Sequence, residues 1–183
     1  MPEYVLCVAC TAGTEAAFAA SMRWQTDICA LFPVFEREEH KNGAWAVKAY
    51  PLLPGYVFLY ADRPIDVRRM QGRKHVKRVL QYGDGETNLR GEDRNFAEWV
   101  YRYNGRIALS RAWLVGDQTQ IIDGPLKEYE GVIKKINRQR RSALVEIHIG
   151  QQARDVWLSF QWMTMRDGSL VEFNTTGKQT GRK

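Results

Sequence analysis

The sequence of 183 residues lacks any long hydrophobic run, and no stretch approaches the roughly 20 apolar residues that a membrane-spanning helix requires. The first residues, Met1-Pro2-Glu3, lack the basic cluster that opens a secretory signal, so we expect no signal peptide. Cysteine is scarce, because Cys7, Cys10 and Cys29 give an odd count without the spacing of a disulfide framework. These absences predict a reduced, cytoplasmic protein that does not enter a membrane.

Sequence patterns of metal and catalytic sites are also missing. Cys7 and Cys10 form a C-x-x-C pair, but a structural zinc site needs about four ligands, and no second Cys or His pair follows. There is no G-x-S-x-G, no Walker loop and no G-x-G-x-x-G after a strand. A Cys–His nucleophile pair stays open as an alternative, since such residues need not be neighbours in sequence. We expect no catalytic residue, no metal, no cofactor and no enzymatic activity.

The composition has an excess of positive charge. The chain has 27 Lys and Arg against 21 Asp and Glu, which gives a formal charge of +6 and an isoelectric point near 9.3. Hydrophobic residues make up 44%, enough for the core of one or two domains. The charge balance favours an anionic partner such as nucleic acid.

The first part of the chain mixes strand and helix patterns. Short apolar runs predict strands, and apolar residues on one helical face predict helices. The predicted strands are residues 3–9, 55–61 and 75–82, and the predicted helices are residues 14–31, 65–74 and 92–103. Asn42-Gly43 predicts a hairpin turn between polar arms, because both residues tolerate positive φ. Residues 1–104 are therefore predicted to form an α+β domain.

The pattern changes after residue 104. Residues 105–115 show no period and are interpreted as a linker. From Gly116 onward only short strands are predicted, at residues 118–122, 131–136, 143–149 and 155–158. So many short strands close together predict a small β-barrel over residues 116–165. Residues 166–183 are polar and basic, and they are predicted to be a flexible tail.

Two segments combine unusual backbone chemistry. In Leu53-Pro54-Gly55-Tyr56 the proline fixes φ and the glycine allows close backbone approach, which sets the entry into a strand. In Gly116–Ile136, Asp123-Gly124-Pro125 predicts a turn, and Gly131 is predicted to restart the chain as a strand that closely approaches another. Either segment alone is compatible with an ordinary structural role.

With both segments in this order, the sequence resembles the NusG family of transcription elongation factors over roughly residues 3–163. Leu53-Pro54-Gly55-Tyr56 is similar to the family's strand entry, and Gly116–Ile136 to its KOW motif. The resemblance implies an antiparallel sheet flanked by helices (the NGN domain), followed by a small SH3-like β-barrel (the KOW domain). It implies a monomeric bacterial protein that binds the clamp helices of the large RNA polymerase subunit and promotes processive transcription.

The same resemblance implies two sets of polymerase-binding residues. By position, a hydrophobic pocket for the clamp helices would draw on Cys7, Leu53, Pro54, Tyr56 and Tyr82. Glu3 replaces a Trp found in many members, and Cys7 replaces an aromatic residue of some paralogues, which predicts a shallower pocket. A second contact, with the polymerase gate loop, would use Asp66, Val67 and Arg68. The alternative for these three is that they cap and solvate the short helix.

A basic loop, Lys134–Arg141, carries five positive charges within eight residues. Cations near phosphates release counterions, so such a loop favours RNA or DNA, although a solvated basic turn is the alternative. The predicted RNA-binding residues are Lys127, Lys134, Lys135, Arg138, Arg140, Arg141 and Arg154.

The basic loop is also similar to that of the LoaP group, a group of specialised paralogues within the family. This resemblance implies antitermination and RNA binding by the KOW domain. We therefore predict an antitermination factor whose partners are RNA polymerase and nascent RNA, including a leader hairpin. One alternative is a housekeeping elongation factor whose KOW domain binds only proteins, either a small-subunit ribosomal protein or a termination factor. Another is a ribosome-associated KOW protein.

Overall fold

The computed structural model describes residues 1–25, 27–41, 44–116, 118–150, 152–166 and 169–172. In chain order its elements are β1 (Tyr4–Cys10), α1 (Glu15–Ser21), β2 (Cys29–Leu31), β3 (Val34–Lys41), β4 (Ala44–Pro51), β5 (Tyr56–Ala61), α2 (Val67–Gln71), β6 (Val76–Val79), α3 (Gly91–Arg102), β7 (Arg106–Ile107), β8 (Ser110–Val115), β9 (Gln118–Asp123), a 3₁₀ helix (Pro125–Val132), β10 (Ile133–Asn137), β11 (Ser142–Ile149), β12 (Gln152–Arg166) and β13 (Ser169–Glu172). Most of these residues lie in sheets and few in helices, which confirms the predicted α+β class. Below, residues 1–107 are called the N-terminal half and residues 110–172 the C-terminal half.

The central sheet of the N-terminal half has the strand order β2-β5-β1-β6. One face of β1, with Leu6 and Val8, packs in a buried cluster with Phe18 of α1 and Met70 of α2. The other face of β1 belongs to a second cluster that includes Trp99 of α3. Helices therefore cover both faces of the sheet, and this explains why β1 is an uninterrupted apolar run.

A long hairpin extends from this half. Strand β3 pairs antiparallel with β4 from Val34↔Pro51 to Lys41↔Ala44, and it pairs in parallel with β7. The pairing confirms the predicted hairpin, while Asn42 and Gly43 themselves lie outside the described residues. On the hairpin, Glu39 is hydrogen-bonded by Tyr50 and the cations of Arg37 and Lys48, which lowers its pKa to about 2.

The C-terminal half is a curled sheet with the order β10-β11-β12-β8-β9, and β13 is added on β12. Strand β12 curls the sheet because it changes partners along its length. It pairs with β11 over residues 152–159, with β8 over residues 160–162 and with β13 over residues 163–166. Along β11, Ala143, Val145, Ile147 and Ile149 are buried at every second position, so they form the inner face of the half-barrel.

Several predicted boundaries are wrong. Helix α1 ends at Ser21, and residues 29–31 of the predicted helix form strand β2, which pairs with β5. Residues 105–115 are not irregular, because β7 pairs with β3 and β8 pairs with both β9 and β12. Apart from β9, which directly follows β8, these pairing partners are distant in sequence, and a local pattern does not reveal them.

The end of the chain also differs from the prediction. The strand predicted at residues 155–158 is the middle of the much longer β12. Ser169–Glu172, predicted as part of a flexible tail, pairs with β12 as strand β13. Residues 173–183 lie outside the described residues. None of the helices in the described ranges is long and apolar enough to cross a membrane.

The two halves share one hydrophobic cluster. Buried residues of β1, β5 and α3 belong to the same cluster as buried residues of β8, β11 and β12. Examples are Phe58 and Trp99 from the N-terminal half, and Val145 and Phe160 from the C-terminal half. The halves are therefore docked on each other.

Candidate functional site

The turn before β5 is held by side-chain and backbone hydrogen bonds. Gly55 has a φ of +87°, which favours glycine, and its N–H donates to Oε1 of the buried Glu15 at 2.6 Å. The Gly55 carbonyl accepts a hydrogen bond of 2.7 Å from the Cys10 N–H. Leu53 is buried in the core, whereas Pro54 is exposed. The turn is thus fixed between α1 and β1 and presents Pro54 and Tyr56 near the surface.

Tyr56 and Tyr82 line one cleft of about 200 Å³, here called the aromatic cleft, together with Leu80 and Leu89. The Tyr82 hydroxyl donates to the buried Asp93 carboxylate at 2.8 Å, and partial burial raises the pKa of Tyr82. These contacts fix the Tyr82 ring, so the cleft is a shaped surface in which aromatic and apolar side chains alternate with polar ones and one carboxylate is buried.

The C-terminal half supplies the other wall of the aromatic cleft. Ile149, Gly150 and Gln152, around the connection between β11 and β12, line it. A Cβ added at Gly150 would lie 3.2 Å from Leu80 Cδ2, so the two halves approach closely there. The Arg154 guanidinium stands 5.4 Å from the centre of the Tyr56 ring, a cation–π contact. In this conformation the cleft is therefore partly covered by the chain itself.

Cys7 lies beneath this region and is completely buried. Burial raises the pKa of its thiol well above the ordinary value, because the thiolate would be poorly solvated there. Of the five residues predicted for the clamp-helix pocket, Tyr56 and Tyr82 line the cleft and Pro54 is exposed, while Cys7 and Leu53 belong to the core. The structure therefore brings together only part of that set at a surface.

Thiol reactivity tests the burial of Cys7. Cys7 and Cys10 are buried and Cys29 is exposed, so the native protein should react with Ellman's reagent at Cys29 and expose the other two thiols only in denaturant. Cys29→Ser should abolish the fast reaction and leave the denatured count lower by one. Fast reaction of the Cys29→Ser protein would show that the core around Cys7 opens.

The second predicted polymerase contact lies elsewhere. Asp66 is the N-cap of α2, where its Oδ1 accepts from the Arg69 N–H at 3.2 Å. Asp66 lines a separate cleft of about 380 Å³ beside Trp24, whose surface is 90% exposed. Arg68 is exposed and Val67 half-buried. The two clefts share no lining residue, so these predicted contacts form two distinct surfaces.

The predicted RNA-binding residues are dispersed over the C-terminal half. Lys127, Lys135 and Arg140 are exposed. Lys134 pairs with Glu146 and, at 2.7 Å, with Asp155, and these hydrogen bonds raise its pKa. The Arg138 Nε donates to Thr119 Oγ1 at 3.2 Å. Internal partners thus occupy part of the predicted basic surface.

Arg141 has the most unexpected surroundings. It is 8% exposed, and its Nη1 lies 2.8 Å from Glu38 Oε2 on β3. The Gln161 side chain of β12 donates to the other oxygen of the same carboxylate at 3.1 Å. Arg141 also has a φ of +49°, which is uncommon for a residue with a side chain. Arg141 and Gln161 of the C-terminal half therefore both bind the carboxylate of Glu38 in the N-terminal half.

Three further polar contacts join the halves. His148 Nδ1 lies 2.8 Å from the Glu92 carboxylate at the start of α3. Glu128 accepts from Arg102 at 2.5 Å and from the Tyr103 hydroxyl at 3.0 Å. The sequence did not identify Glu38, Glu92 or Gln161 as site residues, because nothing local marks a partner 103 or 123 residues away. Within the described residues, no cluster of His, Cys, Asp or Glu is arranged to hold a metal ion.

Comparison with known proteins gives an informative similarity. No model of a known protein family matches the chain. The transcription termination/antitermination protein NusG of Borreliella burgdorferi is 22% identical over 143 residues, which cover 70% of this chain and 76% of that protein. This similarity supports the NusG family, and it does not distinguish among paralogues within it.

Proposed function

We propose that this protein is a transcription elongation or antitermination factor of the NusG type, without catalytic activity of its own. Residues 1–104 bind RNA polymerase, and the C-terminal half, whose sheet begins at β8, binds a second partner close to the transcribing enzyme. Residues 105–115 connect the two units, residues 116–165 carry the KOW motif, and residues 166–183 follow as a basic extension. The similarity to the NusG protein supports this proposal at the level of the family.

The observation that carries the polymerase-binding part is the aromatic cleft. A cleft that combines two tyrosines and apolar side chains with polar groups is the kind of surface that binds an amphipathic helix or a helix pair. Tyr56 and Tyr82 belong to the set that the family resemblance implies, and they share this cleft. We propose the clamp helices of the large polymerase subunit as its occupant and the α2 start, with Asp66, Val67 and Arg68, as a second contact.

Binding to purified core RNA polymerase tests this proposal. Tyr56→Ala should weaken binding by about tenfold or more, because a buried aromatic anchor at an interface typically contributes about 2 kcal/mol. Trp157→Ala is the control, since Trp157 is 40% exposed on the C-terminal half and outside the aromatic cleft. Absence of binding by the unmodified protein, or equal binding by both variants, would contradict the proposal.

For the C-terminal half we propose RNA as the second partner. Lys127, Lys135 and Arg140 are exposed, and Arg138 lies in the same β10–β11 region as Lys135 and Arg140. Cations arranged around a turn favour phosphate contacts whose strength falls with salt concentration. More specifically, we propose that the protein is a specialised paralogue of the LoaP type that acts on a leader RNA hairpin.

One observation favours a protein partner instead. Acidic residues neutralise Lys134, and Leu114 and Val115 on the same half are 54% and 55% exposed. Exposed apolar side chains are a feature of protein-binding surfaces, and neutralised cations bind phosphate less well. A housekeeping factor whose C-terminal half binds a ribosomal protein or a termination factor would fit these features. Failure of the full chain to bind RNA at low salt would favour this second candidate.

A further inference from the structure

Strand β10 carries two adjacent lysines that differ in their partners. A β-bulge between Ile133 and Lys135 shifts the register against β11, and Lys134 and Lys135 are both exposed. Lys134 pairs with Glu146 and Asp155, whereas no ion pair of Lys135 is found among the described residues. The bulge therefore leaves the ammonium group of Lys135 available to an anion from outside the protein.

Lys135 belongs to a row of side chains that crosses three strands, here called the outer row. Its Cα partner on β11 is Leu144, and the partner of Leu144 on β12 is Trp157. Directly opposed residues of antiparallel strands have their side chains on the same face of a sheet. Because neighbouring strands lie about 4.8 Å apart, Lys135 and Trp157 are separated by roughly 10 Å, with the half-buried Leu144 between them.

The ring of Trp157 is available on this face. Trp157 is 40% exposed, and within the described residues it takes part in no ring contact. Further along the same strand, by contrast, Phe160 and Trp162 pack edge to face with their ring centres 5.0 Å apart. A planar ligand could therefore stack on the Trp157 ring without breaking an internal aromatic contact.

The surroundings of the outer row favour an anion on one side of it. Glu146 and Asp155 are opposed to each other on the same face, and both are paired with Lys134. His148 Nε2 also lies 3.1 Å from Glu146. On the other side of the row, β10 and β11 join in the turn that carries the exposed Arg140. Paired carboxylates thus border the row on one side and a basic turn borders it on the other.

We propose that the outer row binds an unpaired nucleobase of RNA, which stacks on Trp157 while Lys135 and Arg140 contact the flanking phosphates. This inference rests on the proposed RNA contact, and it specifies the class of RNA. Bases within a duplex are stacked on each other, whereas an unpaired base in a loop, bulge or single strand can be splayed onto an aromatic side chain. The preferred ligand is therefore RNA with unpaired bases and not a continuous duplex.

Trp157→Leu in the full chain tests the stacking, because leucine keeps an apolar side chain beside Leu144 but has no aromatic face. Fluorescence anisotropy compares a short labelled RNA single strand with the same strand annealed to its complement. The substitution should weaken binding of the single strand by about tenfold, the usual order of loss for one stacked base. Binding of the duplex should not change. Trp157→Phe keeps a smaller aromatic face and should retain most of the single-strand affinity.

The salt dependence of binding separates stacking from charge. Trp157→Leu removes no cation, so the slope of the logarithm of the binding constant against the logarithm of the salt concentration should stay the same. Lys135→Gln removes one phosphate contact and should reduce that slope by about 0.7 for a single strand. A Trp157→Leu protein that lost affinity together with slope would be acting through charge, and this result would overturn the proposal.

Trp24→Leu is the matched control, because Trp24 is 90% exposed and lies in the N-terminal half. It should bind both RNAs as the unmodified protein does. Equal losses in the two leucine variants, or equal losses with single strand and duplex, would overturn the stacking.

Two further outcomes separate failure of the inference from failure of the proposed function. RNA binding that is the same in Trp157→Leu and in the unmodified protein would overturn the stacking, leave the RNA contact standing and favour a protein partner for the exposed ring. Absence of binding of either RNA by the unmodified protein would overturn both the stacking and the proposed RNA contact.

Discussion

Gly124→Ala should lower the free energy of unfolding by about 3 kcal/mol, because it combines backbone strain with a steric clash. Gly124 has a φ of +90° and a ψ of −175°, a region of the backbone map that is open almost only to glycine. A Cβ at this position would lie 2.8 Å from Ser110 Cα and 3.0 Å from Ser110 Oγ. The neighbouring atom is backbone, so a rotamer change alone cannot relieve the clash.

The clash would spread to the contacts that join β8 to the 3₁₀ helix. Ser110 is 1% exposed, and its Oγ accepts from the Leu126 N–H at 2.8 Å. Leu126 is itself completely buried in the shared cluster. In Gly124→Ala, movement of Ser110 away from the added methyl group would weaken this hydrogen bond. It would also weaken the packing of Leu126, which adds to the loss of stability.

Urea unfolding measures the effect, and Gly116→Ala is the control. Gly116 belongs to the same motif and has a φ of +60°, but no atom lies within 4 Å of its added Cβ. Its replacement should cost only the conformational preference of glycine, about 1 kcal/mol. Equal losses for the two variants would show that the contact with Ser110 is not the reason for glycine at position 124.

This motif shows what local sequence can and cannot predict. The turn at Asp123-Gly124-Pro125 follows from residue chemistry, and Gly124 indeed begins a turn with Pro125 at the first helical position. Gly131, which was predicted to start a strand, instead lies in the 3₁₀ helix. The close approach at Gly124 depends on Ser110, whose strand was interpreted as a linker. A tertiary contact therefore sets the constraint on Gly124.

The same limit applies to the candidate site. The residue types around Tyr56 and the alternation of β11 predict their local structure, and the strands observed there agree. The uninterrupted apolar run of β1 is typical of a buried strand, and Cys7 is buried accordingly. The burial of Leu53 depends on packing in the shared cluster, which a strand pattern does not reveal. The partners of Lys134, Arg141 and Arg154 come from other strands or from the other half. Charge counts predict a basic surface, but ion pairing decides how much of it stays available.

Arg141→Met should lower the stability of the docked protein by about 3 kcal/mol, because it leaves the Glu38 carboxylate in a nearly dry site with Gln161 alone. Methionine has a similar length, and it has the same difficulty with a φ of +49°, so the loss reports the charge and not the backbone. Urea unfolding and NMR relaxation together give the size of the effect and the state that results.

The double variant Glu38→Leu with Arg141→Met should recover most of that loss, since an apolar pair of similar volume often replaces a buried ion pair without cost. A double-mutant cycle with Glu38→Leu alone gives the coupling energy. A coupling near zero would contradict the ion pair.

The size of the stability loss in Arg141→Met alone also reports on how tightly the two halves are docked. If the halves separate, Glu38 becomes hydrated, and the loss cannot exceed the free energy of docking. A loss well below 3 kcal/mol together with faster tumbling of the C-terminal half would therefore measure a weak docking equilibrium. A full loss without separate tumbling would instead make the Glu38–Arg141 pair a permanent part of the fold.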